Sequence, residues 1–226
     1  AHNQVITLFG KAEENFDDFV RQSQISQAEA KKYFIEKFRI DKWKRTGIIW
    51  WNLLDGWPQV SDAVVDYYYV RKLAYHYIKR SQEPICLMFK EPENGHIRLV
   101  GVNDLEKDTK VTYTIKKIAD VSSGVAKRNV SDIVMSGTVE LAADSAIDLG
   151  VLSIEDEEKS FYLIEWSMDG KTFKNHYVTN LIDIDYNKYM LTYHSTLDAT
   201  HPFASRWYEW LFNLRPIWYY VNRKAT

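Results

Sequence analysis

Apolar and polar positions change rhythm three times along the chain. Over residues 17–38 the period is helical: Phe19, Ile25, Ala28, Phe34 and Phe38 fall roughly on one face, and Gln24, Gln27, Lys31 and Lys32 on the other. Asp17 and Asp18 suit a helix start by charge. The run Gly47-Ile48-Ile49-Trp50-Trp51-Asn52-Leu53 is apolar apart from Asn52, which predicts a strand buried on both faces. A loop over 54–66 carries Asp55, Gly56, Trp57 and Pro58, and a second helix is predicted over 70–80. Helix, buried strand, loop and helix in that order make an α/β unit.

After Pro84 the runs shorten. Strands are predicted at 85–90, 96–102, 109–116, 131–141, 146–152, 159–168 and 172–179, with turn residues between them. Asp169-Gly170 is a strong hairpin signal, and Glu93-Asn94-Gly95, Asn103-Asp104 and Ser122-Ser123-Gly124 mark other turns. Seven short strands over roughly 100 residues suggest an immunoglobulin-like sandwich, with a boundary near 81–84. From about Leu191 a third character begins. Trp207, Tyr208, Trp210, Phe212, Trp218, Tyr219 and Tyr220 crowd a stretch too short and too polar to cross a bilayer.

Composition narrows the function without choosing it. The net charge of −2 gives no electrostatic reason to expect nucleic acid or an anionic membrane as partner. The single cysteine, Cys86, excludes a disulfide framework and a cysteine-rich zinc site. No basic-then-apolar leader opens the chain, and a cytoplasmic location is expected. The 8 Trp, 15 Tyr and 10 Phe suit core packing, interfaces or sugar stacking equally.

Three stretches carry a family resemblance. Ser23-Gln24-Ile25-Ser26-Gln27-Ala28-Glu29-Ala30 resembles the helix before the last barrel strand of β-mannosidase-like hydrolases of glycoside hydrolase family 2. Residues 47–58 resemble that family's eighth strand and its following loop, and 66–80, with Asp66-Tyr67-Tyr68-Tyr69, Arg71-Lys72 and Leu73-Ala74-Tyr75-His76-Tyr77, its final barrel helix. The resemblance implies an α+β chain: residues 1–82 as the last helix–strand–helix portion of a (β/α)₈ TIM barrel, and 83–185 as the sandwich. It further implies a retaining glycosidase, which needs two carboxyl groups about 5–5.5 Å apart. The family's two catalytic glutamate segments are absent from this sequence, so no catalytic residue is expected in it and the chain alone is expected to be inactive. What the resemblance leaves is one wall of a carbohydrate site: Trp51 flanking the sugar, with Asn52, Asp55 and Trp57 beside it. No cofactor and no metal are expected.

The remaining glutamates read as structural. Glu29 and Glu36 are expected on a solvated helix face, Glu165 on an outward strand position, and His76 in a packing role. Tyr193 to Trp210, with its His201-Pro202-Phe203 and Ser205-Arg206-Trp207-Tyr208 spacing, and Arg215 to Tyr220 separately resemble a segment of protein O-mannosyltransferases, which makes residues 186–226 a tail of separate origin. Two further readings stand beside the hydrolase: a non-catalytic carbohydrate-binding or subunit-docking sandwich, and a piece of a membrane transferase, with the tail offering an interface at 207–220. A lone helix–strand–helix unit cannot close a barrel sheet, so residues 1–80 are expected to pack poorly or to borrow cover from the tail.

Overall fold

A computed structural model describes residues 2–59, 61–120, 132–155, 157 and 159–197. The aromatic tail beyond 197, and with it most of the transferase-like segment, lies outside the described residues, as does the turn at 122–124. Three helices come first: α1 (His2–Phe9), α2 (Phe16–Ile40) and α3 (Leu73–Ser81). Seven strands follow: β1 (Ile85–Phe89), β2 (His96–Asn103), β3 (Thr109–Asp120), β4 (Asp132–Leu141), β5 (Ser145–Ser153), β6 (Ser160–Met168) and β7 (Lys171–Val178). A last helix, α4 (Tyr186–Thr196), closes the described part. The result is a mixed α+β fold whose sheets are antiparallel.

Local chemistry accounts for the element ends. Asn15 caps α2, its Oδ1 accepting from the amides of Asp17 (2.9 Å) and Asp18 (3.3 Å), and Lys37 and Arg39 complement the dipole in the last turn. Asp185 caps α4 by accepting from the Lys188 amide at 3.0 Å. The β6–β7 hairpin turns at Asp169 (φ 49°) and Gly170 (φ 72°), both left-handed as a two-residue primed turn requires. Helix α1 was not expected, although Val5, Leu8 and Phe9 keep helical spacing and all three are buried. It stops at Gly10, whose φ of +73° and amide bond to the Ile6 carbonyl (2.8 Å) end the helix.

The strands form two sheets, ordered β1-β2-β5 and β4-β3-β6-β7. Their facing sides share one core, which includes Leu87, Leu99, Val111, Ile115, Ile164 and Trp166. Strand β6 is covered on both sides. Tyr162, Ile164 and Trp166 point between the sheets, whereas Phe161 and Leu163 join a second core with Ile25, Ile35, Leu73, Tyr77 and Tyr189 of the helices. The helices therefore lie on the outer face of β6 and β7, with α4 packed into the same layer.

Three expectations for the helical part are corrected. The predicted strand over 47–53 does not form, and the run is not buried on both faces: Ile49 is 98% exposed and Leu53 58%. No main-chain hydrogen bond joins residues 47–51 to another segment among the described residues, so the run has a strand's side-chain pattern without a ladder. On α2, Phe34 is exposed while Lys32 is buried, the reverse of the predicted faces. Glu29 and Glu36 are buried as well. Each meets a partner on β7 more than a hundred residues away, His176 for Glu29 and Asn175 for Glu36, which a one-element pattern cannot reveal.

Candidate functional site

The predicted wall residues lie along the extended segment 47–57 and the loop after it. Alternation separates neighbouring side chains: Ile48 and Trp50 pack against the helical core, and Ile49, Trp51 and Leu53 point away from it. Trp51 is 75% exposed and Trp57 64%, so both rings present faces to solvent. Lys31 of α2 fixes the pair of tryptophans. Its ammonium donates to the Trp51 carbonyl at 2.6 Å and lies 5.3 Å from the centre of the Trp50 ring. Burial, together with the nearby Lys72, pushes the Lys31 amine below its ordinary value despite the pull of Asp62.

Asn52 follows a cis peptide bond from Trp51. Its carbonyl accepts from the Val64 amide at 3.2 Å, and Val65 donates to Leu53 O at 2.8 Å, which pins the segment to the far end of the loop. The Asn52 Oδ1 is buried and has no hydrogen-bond partner among the described residues. Asp55 is 2% exposed. Its carboxylate accepts from Lys72 Nζ at 3.0 Å, from Gln59 Nε2 at 3.3 Å and from the Ser61 hydroxyl. Trp51 and Trp57 are thus exposed rings, Asn52 is half-buried, and Asp55 is buried and anchors the loop. Replacing Asp55 with Ala leaves the Lys72 ammonium and the Ser61 hydroxyl without their acceptor. We expect a stability loss of about 2–3 kcal/mol and faster proteolysis between 55 and 65, measured by urea unfolding and timed digestion.

Other groups named from the sequence sit away from this wall. Glu165 accepts from Lys116 at 2.5 Å and Lys174 at 3.3 Å on the outer sheet face, and these two ammonium groups hold its carboxyl below the ordinary value although burial opposes them. His76 is buried on α3, edge-on to Tyr75 at 5.4 Å. Among the described residues no cluster of three or more His, Cys, Asp or Glu could hold a metal, and no helix is long and apolar enough to cross a membrane.

Sequence reasoning missed a set of buried polar groups under α2. Glu36 accepts from Lys32 (2.8 Å), Ser81 (3.1 Å) and Asn175 (2.8 Å), and Asn175 also donates to the Leu87 carbonyl at 3.1 Å. Two turns earlier, Glu29 meets His176 of β7 and Tyr189 of α4. The seven-residue spacing of two glutamates around Lys32 was the available signal, since it places all three on one stripe of the helix.

No protein-family model matches the chain. In sequence it is similar to β-mannosidase B of Aspergillus terreus, 25% identical over 153 residues that make up 59% of this chain and 18% of that protein. The corresponding enzyme of Aspergillus clavatus is 26% identical over 157 residues, 61% of this chain and 18% of that protein. The chain thus spans about a fifth of the length of these curated relatives (18%). In structure it is similar to a β-D-mannosidase from Dictyoglomus thermophilum, with a TM-score of 0.66 and 25% identity over 81% of this chain and 22% of that one. An exo-chitosanase, CsxA, from Amycolatopsis orientalis shares the fold at a TM-score of 0.57 and 21% identity, over 77% of this chain and 21% of its own. In sequence and in structure the chain is thus similar to a region of β-mannosidases.

Proposed function

We propose that this chain is the C-terminal part of a retaining glycoside hydrolase acting on β-linked mannosides or related sugars. In this reading residues 1–82 are the last helix–strand–helix portion of a TIM barrel, 83–185 an immunoglobulin-like sandwich, and Trp51, Asn52, Asp55 and Trp57 one wall of the sugar site. The observation that carries the reading is the Trp50–Trp51 pair. One ring packs on the helices, and the other stands exposed on an extended segment that has no strand beside it. A barrel strand has this construction, with helices behind it and the site at its C-terminal end. A flat indole there suits the C–H face of a sugar.

The wall brings no chemistry of its own. Asp55 is buried and engaged by Lys72, Gln59 and Ser61, so it offers neither a free nucleophile nor an acid, and retention requires a pair. The purified chain is therefore expected to leave a chromogenic β-mannoside intact, and turnover by homogeneous protein would refute its inactivity. Saturation-transfer NMR tests the wall itself. Mannobiose should contact the Trp51 indole with a Kd on the order of 1 mM, and Trp51→Ala should abolish that contact. Mannobiose that touches neither Trp51 nor Trp57 defeats the reading.

The sandwich as an independent carbohydrate module gains less support. Among the described residues the large hydrophobic side chains exposed on its strands are Ile133 and Val151, neither of them aromatic, whereas the exposed rings are on the helices and the 41–69 loop region.

A further inference from the structure

The buried groups that the hydrolase reading leaves unused gather where α2, α3, β7 and α4 meet. His176 of β7 has its Nε2 2.7 Å from Glu29 of α2. The Tyr189 hydroxyl of α4 donates to the same carboxylate oxygen, and the hydroxyls of Tyr77 and Tyr189 share a hydrogen bond. The imidazole lies flat on Phe161 (ring centres 5.2 Å, planes 8° apart), with Tyr77 edge-on at 5.0 Å and Tyr193 at 6.0 Å. The Arg80 guanidinium lies beside the stacked rings of Tyr77 (4.9 Å) and Tyr193 (5.4 Å) and donates to the Tyr193 hydroxyl at 3.2 Å. Lys32, one turn from Glu29, is paired with Glu36.

We propose that His176 is the proton sensor of an interlock: as a neutral imidazole it holds α2, α3 and α4 against the outer face of β6 and β7, and its protonation in mild acid releases them. The geometry assigns the tautomer. Nε2–H donates to Glu29, and Nδ1 is left buried without a partner among the described residues. A second proton would have to sit on Nδ1, where no acceptor meets it, and a charged ring without solvation is costly. The cations facing the ring, Lys32 and Arg80, add repulsion, and Glu29 supplies the attraction. Burial is the largest influence and takes the imidazole below its ordinary 6.5 despite Glu29. For Glu29, burial would raise the carboxyl, but the hydrogen bonds from His176 and Tyr189 and the charge of Lys32 hold it below its ordinary value.

The sign of the effect follows from which state takes up protons. In the open state His176 returns to its ordinary value near 6.5 and Glu29 to 4.5. Below pH 6.5 the open state therefore binds a proton that the closed state refuses, and opening is favoured as pH falls. Glu29 acts in the same sense, but only below about 4.5, so the window from pH 7 to pH 5 belongs to His176. For one imidazole that titrates near 6.5 when open and stays neutral when closed, the open population rises roughly 25-fold across that window. The inference stands apart from the hydrolase reading, and either can fail alone.

Hydrogen exchange on the whole chain, corrected for intrinsic rates, tests it. Between pH 7 and pH 5 amides in 16–40 and 73–81 should lose protection by roughly that factor, while 96–103 and 145–153 keep theirs. His176→Gln retains an N–H for Glu29 and cannot titrate, so its exchange should stay within about threefold over the same window. An unchanged pH dependence in that variant, or none in the natural chain, overturns the proposal. Should the variant not fold, an NMR titration of His176 in the natural chain decides: a ring that protonates below its ordinary 6.5 is expected, and one that protonates at or above 6.5 sinks the idea.

Discussion

Replacing Glu36 with Ala should destabilise the chain by about 3–5 kcal/mol, a loss read directly as a lower urea midpoint at unchanged slope. The side chains of Lys32 and Glu36 are only 5% and 6% exposed, and the ion pair between them is 2.8 Å long. Removing the carboxylate strands an ammonium inside the protein and takes the acceptor from Ser81 and Asn175 at once. The effect belongs to the unpaired charge rather than to the bond. Combining Lys32→Met with Glu36→Gln should therefore recover more than half of the loss, because the amide oxygen still accepts from Ser81 and Asn175 and no charge is buried. A single Glu36→Ala variant within 1 kcal/mol of the parent would mean that water reaches this site freely.

Replacing Trp166 with Ala should cost a similar amount, about 3–5 kcal/mol, for a different reason. The side chain is 1% exposed, stacks on Phe173 at 5.8 Å and stands opposite Tyr113 in the ladder. Its loss opens a cavity between the two sheets that the surrounding strands cannot close without shifting register. Trp166→Phe gives the informative contrast. It keeps the stack and removes an indole N–H that is buried without a partner, so its cost should stay below about 1.5 kcal/mol. Thermal unfolding of both variants checks the pair, and equal losses would contradict the cavity account.

How much could be read from the sequence depended on how far each residue's partners lie along the chain. All seven strands were legible, because alternation and turn chemistry are local, as at Asp169-Gly170, where the turn's left-handed pair fixes the register Met168 to Lys171. Helices α2 and α3 were legible from their period. The buried stripe of Glu29, Lys32 and Glu36 was not, since the rule that charged residues stay outside fails only when partners are supplied, and these arrive from 147 and 139 residues away. Residues 47–53 failed in the opposite way. Their pattern is that of a buried strand, but a strand also needs a neighbour along its length, and the described residues bond only its end, where Val64 and Val65 donate to the carbonyls of Asn52 and Leu53. Of the candidate site, the exposure of Trp51 and Trp57 was not legible, since alternation separates the two sides of a run without saying which is covered, and the anchoring of Asp55 by Lys72 requires the loop to fold back from 72 to 55 and could not be seen in spacing alone.

The first five of these residues, 47–51, set how the chain behaves in a tube. An apolar run without a main-chain hydrogen bond to another described segment is a template on which a second copy can lay down an identical run, and nothing in the pairing limits growth at two copies. Lys44 and Arg45 on one side and Asp55 on the other are the nearest charges, and none lies within the run to interrupt it. Concentration and storage time therefore become structural variables for this protein, and a lysine placed at Ile49, its most exposed point, is the smallest change that would make them matter less.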